Sequence, residues 1–326
     1  MRNNVRVCVL GGTGFIGQSV VRRLVQAGCE VQVLTRRREK YRDLLVLPHV
    51  ELVESDIFSD GQLQKNFAGM DVVINLVGIL VEQDRKTRNF QAAHVGLTRK
   101  VIDACRNTGI TRLIHMSALQ SNANRGPSKY LRSKGEAENM VHTTAGFNVT
   151  TFRPSVVFGP DDQFLNRFAS ILRSIPSFMP LLLACPNARF APIYVEDLAS
   201  VIVSSIDFKL TFGERYNMCG PKEYRLQDIV AYIGTLLGQK RRIIGLGSGL
   251  SKLQAAILGN LPGTLLTRDN VASMQVDSVC DGAFPEIFDI TPQSMESIAP
   301  RYLANEHTRG CFDAFRRQAG RDPVKK

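Results

Sequence analysis

A doubly wound α/β fold with a parallel sheet and a smaller C-terminal lobe follows from three features of the sequence. A buried-strand pattern runs straight into a glycine-rich turn, strand-like runs then alternate with helical segments, and beyond Pro160 that alternation fades. The first feature is the most specific. Val5, Val7, Val9 and Leu10 make a β-branched apolar run, Gly11, Gly14 and Gly17 follow at three-residue spacing, and Ile16, Val20, Leu24 and Val25 continue with helical periodicity up to Gly28. Each glycine has a task. The first allows a tight strand-to-helix turn, the second lets backbone approach a pyrophosphate, and the third brings helix close to strand. The helix N-terminus adds N–H groups and a positive dipole end for phosphates. Gly11, Thr13, Gly14, Phe15, Ile16 and Gly17 are therefore the expected dinucleotide cradle of a Rossmann domain. A nucleoside triphosphate loop would end in Gly-Lys-Ser/Thr, and Gly17-Gln18-Ser19 lacks the lysine.

The remaining strand-like runs are 31–34, 50–53, 72–77, 112–116 and 149–152. Strands alternating with helices imply right-handed parallel crossovers, and ligands then gather at the carboxyl ends of the strands. Those ends carry Gly11, Thr35-Arg36, Asp56-Ile57, Val77-Gly78 and Ser117 in turn. Residues 1–160 are read as the NADP(H)-binding domain, with returning segments around 190–232, and 161–189 with 233–326 as the second lobe. The apolar run 178–183 is read first as lobe core, with a hydrophobic pocket lining or a partner contact as the alternatives, and the end of the chain from Gly320 as a frayed tail.

The residues after the second strand speak to the choice of cofactor. An acid there would bind the ribose of NAD; this chain has Thr35-Arg36-Arg37-Arg38. A guanidinium forms a bidentate, charge-assisted pair with a 2′-phosphate, so Arg36 first and Arg37 second mark NADP(H) as the preferred cofactor, with NAD(H) the alternative. Asp56 is read equally as an acceptor for the adenine amino group and as a turn residue. Val77 and Gly78 complete the cofactor-facing set from the fourth strand.

Tyr130 and Lys134 stand four apart in SKYLRSKGEAE and share one face of an expected helix, while Ser117 ends the preceding strand. Together they make a proton-transfer set. The tyrosine hydroxyl moves the proton, the lysine lowers its pKa and holds the ribose, and the serine orients a carbonyl oxygen.

On GGTGFIG, NLVG, HMSAL, Tyr130 with Lys134, RPSVVFGP and PIYVEDLA, the chain resembles the extended short-chain dehydrogenase/reductase superfamily over nearly its whole length. The longer phrases SKYLRSKGEAE, RPSVVFGPDDQFLNRF and FPEIFDITPQSMESIAPRYL resemble its atypical branch, which contains the accessory subunit of respiratory complex I and bacterial relatives. That resemblance implies tightly held NADPH, docking on a membrane-bound respiratory or quinone-pathway protein, and no assured turnover. It also places Arg153, Pro154 and Ser155 beside the nicotinamide, and puts His94 where extended members commonly have asparagine. His94 is read as a satisfied helix residue and Asp197 as a helix cap.

Composition bounds the rest. The chain has 326 residues, 44% of them hydrophobic, and no apolar run of the roughly 18 residues a membrane span requires. Only four residues precede the first strand, so the expected location is cytoplasmic, peripheral at the inner membrane face if a membrane partner is bound. The formal net charge of +11 is dispersed apart from 36–40, 240–242 and the terminal lysines, without a recognition motif, which argues against nucleic acid and for an acidic partner or anionic surface. Seven scattered cysteines and five histidines show no metal-ligand spacing, and reduced thiols are expected, with Cys8 and Cys105 as small core residues.

Overall fold

The computed structural model describes residues 5–82 and 89–304, apart from 177, 240, 248, 252, 253 and 255–266. The tail from Gly320, the terminal lysines, Lys240 and Cys311 lie outside the described residues.

Six strands form in the expected places: β1 (Arg6–Leu10), β2 (Glu30–Thr35), β3 (Val50–Glu54), β4 (Val72–Asn75), β5 (Arg112–Met116) and β6 (Asn148–Pro154). A seventh, Arg215–Met218, pairs parallel with β6. Its sequence, RYNM, is too short and polar to announce a strand, and it forms because β6 offers it an edge. From that edge the order is Arg215–Met218, β6, β5, β4, β1, β2, β3, so the chain reverses direction across the sheet between β1 and β4. A crevice at this reversal, at the carboxyl ends of the strands, is where such sheets bind ligands.

The strands read as continuous apolar runs because helices bury both faces. Val7 and Val9 point to one face, where they meet Val20, Val21 and Leu24 of α1 (Phe15–Gln26) and the helix Val195–Ser204. Cys8 and Leu10 point to the other. There they meet α3 (Gln62–Phe67), α4 (Leu97–Thr108) and α5 (Lys129–Thr143), the short α2 (Arg42–Leu45) lying beside β3 on the first face. Cys8 and Cys105 are buried core residues, as expected.

A separate core forms from the helices Leu165–Ser174 and Leu226–Leu236, the paired strands Leu181–Leu183 and Ile243–Gly245, and residues around Met295 and Leu303. The stretch 190–232 divides between the two cores. Ile193 to Met218 returns to the sheet, whereas Leu226–Leu236 packs in the second core. Phe288 comes back later still to pack at a tilt against Phe152 and edge-on to Tyr216.

Two expectations change. The run 178–183 is core only in part: in the strand Leu181–Leu183 the outer two residues are buried and Leu182 is exposed, as period-two alternation in a two-stranded sheet covers one face only, and Phe178 and Met179, ahead of the strand, are exposed as well. The thiols are not all reduced either. Cys219 and Cys280 form a disulfide across 61 positions, a pairing that spacing in the sequence cannot announce because the fold alone brings them together. Among the described residues, no helix is long and apolar enough to cross a membrane.

Candidate functional site

Two sets of residues meet at the carboxyl edge of the sheet. The first is built from backbone. Gly11 takes φ +77°, a conformation that disfavours any side chain, and so turns the chain sharply off β1. Gly14 is the exposed, extended N-cap of α1 and supplies no side chain to cap it, so the first N–H groups of the helix lie open to a ligand. A Cβ on Gly17 would stand 2.2 Å from the Gly11 carbonyl oxygen, which is why α1 can lie against the turn only with glycine there. Thr13 is half-buried, its carbonyl accepting from Gln18.

Leu34 of β2 sits in register with Leu10 of β1, so Arg36 and Arg37 emerge beside the glycine turn, both exposed. The Asp56 carboxylate makes the contacts of a turn residue, accepting the Phe58 N–H at 3.1 Å and the Ser59 hydroxyl at 2.9 Å, and each oxygen keeps a lone pair for the other reading, an adenine amino group. Ile57 and Val77 pack at the margin of the second-face core.

The second set is built from buried side chains. Lys134 is 3% exposed, and its Nζ donates to the Met116 carbonyl at 3.0 Å and the Val77 carbonyl at 3.4 Å. Gly78 makes room for it, since a Cβ there would lie 3.1 Å from Nζ. Burial lowers the Lys134 ammonium to about 8. Tyr130, half-buried, sits edge-on to Phe90 and His94 at ring separations of 5.8 and 5.6 Å. Burial pushes its hydroxyl up to about 12, so the expected lowering by Lys134 is not what this environment produces; desolvation dominates.

Ser117 follows β5 directly, beside the carbonyl that holds Lys134. Its Oγ lies 2.9 Å from Ser121 Oγ, and Ser121 donates to the Glu138 carboxylate at 3.1 Å. Glu138, one turn beyond Lys134 on α5, is almost fully buried and accepts from Arg153 and Arg215, each through Nε at 2.9 Å. Burial alone would raise its carboxyl. Hydrogen bonds from Arg153 and the Ser117–Ser121 pair outweigh that and hold it below its ordinary value. The Arg153 side chain is thus committed to Glu138, while Pro154 ends β6 and its carbonyl accepts from the Leu119 N–H at 3.0 Å.

His94 is a satisfied helix residue, as expected. It lies on a π-helical stretch, Gln91–Gly96; Nε2 accepts from the Ile79 N–H at 3.2 Å, which leaves Nδ1 to donate to Ser133 Oγ at 2.8 Å. Burial, then the nearby Lys134, keep its ring neutral. Asp197 does not cap its helix. It sits inside the first turn of Val195–Ser204 and accepts from the Gln293 N–H at 2.7 Å, tying a C-terminal segment to the sheet-covering helix.

Sequence reasoning missed Ser121, Glu138, Phe90 and His115. Glu138 carried a signal, since Tyr130, Lys134 and Glu138 repeat every four residues along one helix face. His115 carried none. It is buried on β5 with neither ring nitrogen partnered among the described residues.

Residues 7–219 match the NAD dependent epimerase/dehydratase family, from the first strand to the cysteine after the seventh. The chain belongs to that family. Among curated relatives it is 28% identical over 312 residues to "NADH dehydrogenase [ubiquinone] 1 alpha subcomplex subunit 9, mitochondrial" of Mus musculus, covering 91% of this chain and 79% of that one. It is 24% identical over 314 residues to the mitochondrial NADH-ubiquinone oxidoreductase 40 kDa subunit of Neurospora crassa, covering 94% and 80%. It is also 32% identical over 204 residues to a ceramide reductase of Caulobacter vibrioides, covering 61% and 60%. The likeness to complex I accessory subunits and bacterial relatives, first seen in three longer phrases, therefore holds. Among solved structures, the Escherichia coli NADPH-dependent quinone oxidoreductase QOR2 superposes with a TM-score of 0.73 at 16% identity, covering 92% of this chain and all of that one. At that identity the likeness is one of fold.

Proposed function

We propose that this epimerase/dehydratase-family chain holds NADP(H) between the glycine turn and α5, and acts as an accessory subunit docked on a membrane-bound respiratory or quinone-pathway assembly, peripheral at its inner, cytoplasmic face. The observation that carries the docking role is the similarity over nine-tenths of the chain to proteins named as NADH dehydrogenase subunits. The dispersed excess of 11 positive charges suits an acidic partner or an anionic membrane face.

The residues present fit a dinucleotide. The N-terminus of α1 has no side-chain cap, the glycine turn would be filled by any Cβ at Gly17, and no carboxylate stands at the end of β2. In this reading the open N–H groups from Phe15 to Gly17 bind the pyrophosphate, and Arg36, seconded by Arg37, binds a 2′-phosphate. Lys134 holds ribose hydroxyls, with Val77, Gly78 and Pro154 lining the path. When bound, the nicotinamide supplies or accepts a hydride. A cofactor retained by a protein that does not turn over would stabilise the fold by mass action.

A second reading, an NADP(H)-dependent reductase or epimerase, is favoured by one observation: Ser117, Tyr130 and Lys134 are all present, and Lys134 is held against the carbonyl next to Ser117. In that reading Tyr130, protonated at neutral pH, gives its hydroxyl proton to a carbonyl oxygen that Ser117 orients.

One experiment separates the two. The protein is purified without added nucleotide and denatured, the released nucleotide is identified and quantified, and the folded form is challenged with labelled NADPH. Stoichiometric NADPH that does not exchange supports the accessory role. Freely exchanging or absent nucleotide, with turnover of a quinone or other carbonyl substrate, overturns it in favour of the reductase.

A further inference from the structure

The helix that carries Tyr130 and Lys134 is held from a distant part of the chain. The first turn of α5 presents the N–H groups of Lys129, Tyr130 and Leu131. Ser128 Oγ accepts the last of these at 3.1 Å, as an ordinary N-cap. The other two go to one carboxylate: Asp269 Oδ1 accepts from Lys129 at 2.7 Å and Oδ2 from Tyr130 at 3.2 Å, across 140 and 139 positions. Asp269 lies in the short helix Arg268–Ser273, and one turn on, Ser273 Oγ donates to Ser128 Oγ at 2.8 Å. One face of that helix thus grips both the cap and the first turn of α5, with a negative charge at the positive end of the helix dipole.

The grip is anchored downstream. Ser278 donates its N–H to the Arg189 carbonyl at 2.8 Å, and its own carbonyl accepts from Ala191 at 3.1 Å and from Ser155 Oγ at 2.6 Å. Two residues later Cys280 is bonded to Cys219, which follows the strand Arg215–Met218. Residues 267–280 therefore run as a strap from the first turn of α5 to the carboxyl edge of the sheet. Its apolar packing at the far end is slight, limited to Val279 and Cys280 against Leu119, Ala191 and Cys219.

We propose that Asp269 is a positioning residue for Tyr130 and Lys134, and that the Cys219–Cys280 disulfide keeps the strap in the place from which Asp269 can act. The thiol–disulfide state of that pair then tunes the grip on the cofactor. The proposal rests on the reading of Tyr130 and Lys134 as the cofactor-facing pair. Reduction by a dithiol forms a mixed disulfide with one cysteine, and the second thiol of the reductant then closes its own disulfide. Two electrons and two protons pass to Cys219 and Cys280. Leu131 keeps its Ser128 cap throughout, so α5 persists, and what is lost is the fixed orientation of the turn that bears Tyr130.

Amide hydrogen exchange across 128–132 tests this in the full-length protein, comparing oxidised wild type, wild type reduced with dithiothreitol, Asp269→Ala and Asp269→Glu, with NADPH dissociation followed in parallel. Loss of a charged acceptor is expected to speed exchange at Lys129 and Tyr130 on the order of tenfold in the reduced protein and in Asp269→Ala. Exchange in α1 stays unchanged, Asp269→Glu recovers part of the protection, and NADPH leaves several-fold faster wherever exchange has risen. Unchanged exchange in Asp269→Ala overturns the positioning role. Unchanged exchange on reduction, or exchange that rises equally in α1, overturns the disulfide's part. Faster exchange with unaltered NADPH release shows the grip to be structural only and also sinks the proposal. A wild type that binds no nucleotide overturns the cofactor reading instead, and the exchange comparison still decides whether the strap holds the turn.

Discussion

The two halves of the candidate site are made in opposite ways. Beside β1 and β2 the site is an absence of side chains, glycines whose missing Cβ atoms leave room for a close turn, with exposed arginines at its rim. Beside β4, β5 and β6 it is a set of polar side chains, the buried Lys134, Ser117 and Glu138 and the half-buried Ser121, each satisfied by a neighbour. The first half depends on backbone geometry and tolerates no added atoms. The second depends on partnership: Ser117, Ser121 and Glu138 bond in series, so removing one strands its neighbours, while Lys134 is held separately by backbone carbonyls.

The largest expected effect tests the first half. Gly17→Val would place Cβ into the Gly11 carbonyl and push α1 off the turn, for a loss of about 3 kcal/mol or more in denaturant unfolding. A loss below about 1 kcal/mol would show the turn to be malleable.

Next, Glu138→Ala leaves the Arg153 and Arg215 guanidinia without their shared acceptor. Both arginines are about a third exposed, at 28% and 36%, so water screens part of the loss and about 2 kcal/mol is expected. Because its folded pKa is depressed, Glu138 contributes stability that is present above its ordinary value of 4.5 and lost as pH falls through the folded value. The variant should therefore show a flatter acid unfolding profile than wild type.

Lys134→Met sharpens the comparison by separating stability from binding. A buried ammonium whose pKa falls from 10.5 to about 8 binds fewer protons in the folded than in the unfolded protein between those values, so wild-type stability rises with pH through that window. The methionine variant should be more stable at neutral pH by on the order of 1–2 kcal/mol, with the gain shrinking above pH 8, while losing nucleotide affinity. A variant less stable at neutral pH would mean that the Met116 and Val77 carbonyls need their donor more than the amine needs water.

The smallest effect is one of selectivity. Arg36→Ala should cut NADPH affinity about tenfold with little change for NADH, read by titration of both. Equal losses would remove the 2′-phosphate assignment.

Much of this site could be read before the structure was known, and the reason differs between the halves. The glycine turn is local: strand, turn and helix are consecutive, so the residues that must be bare are adjacent in the chain. Tyr130 and Lys134 were legible by helical spacing, and Glu138 extends the same spacing. That spacing does not say which face of α5 meets the sheet, and so could not reveal that Glu138 collects Arg153 and Arg215 from two strands. Tyr130 itself shows the limit most plainly. A lysine four residues on suggests a lowered hydroxyl, whereas the enclosing Phe90 and His94 rings raise it.

By itself the sequence determined the parallel α/β fold, the glycine turn and the residue types at the carboxyl ends of the strands, because periodicity and local turn chemistry act over a few residues. Only the tertiary structure decided what lies far apart in the chain and close in space: the strand Arg215–Met218 on the sheet edge, the Cys219–Cys280 bond and the Asp269 carboxylate on the first turn of α5. These depend on packing that closes loops of 60 residues and more, and no local pattern encodes where such loops end.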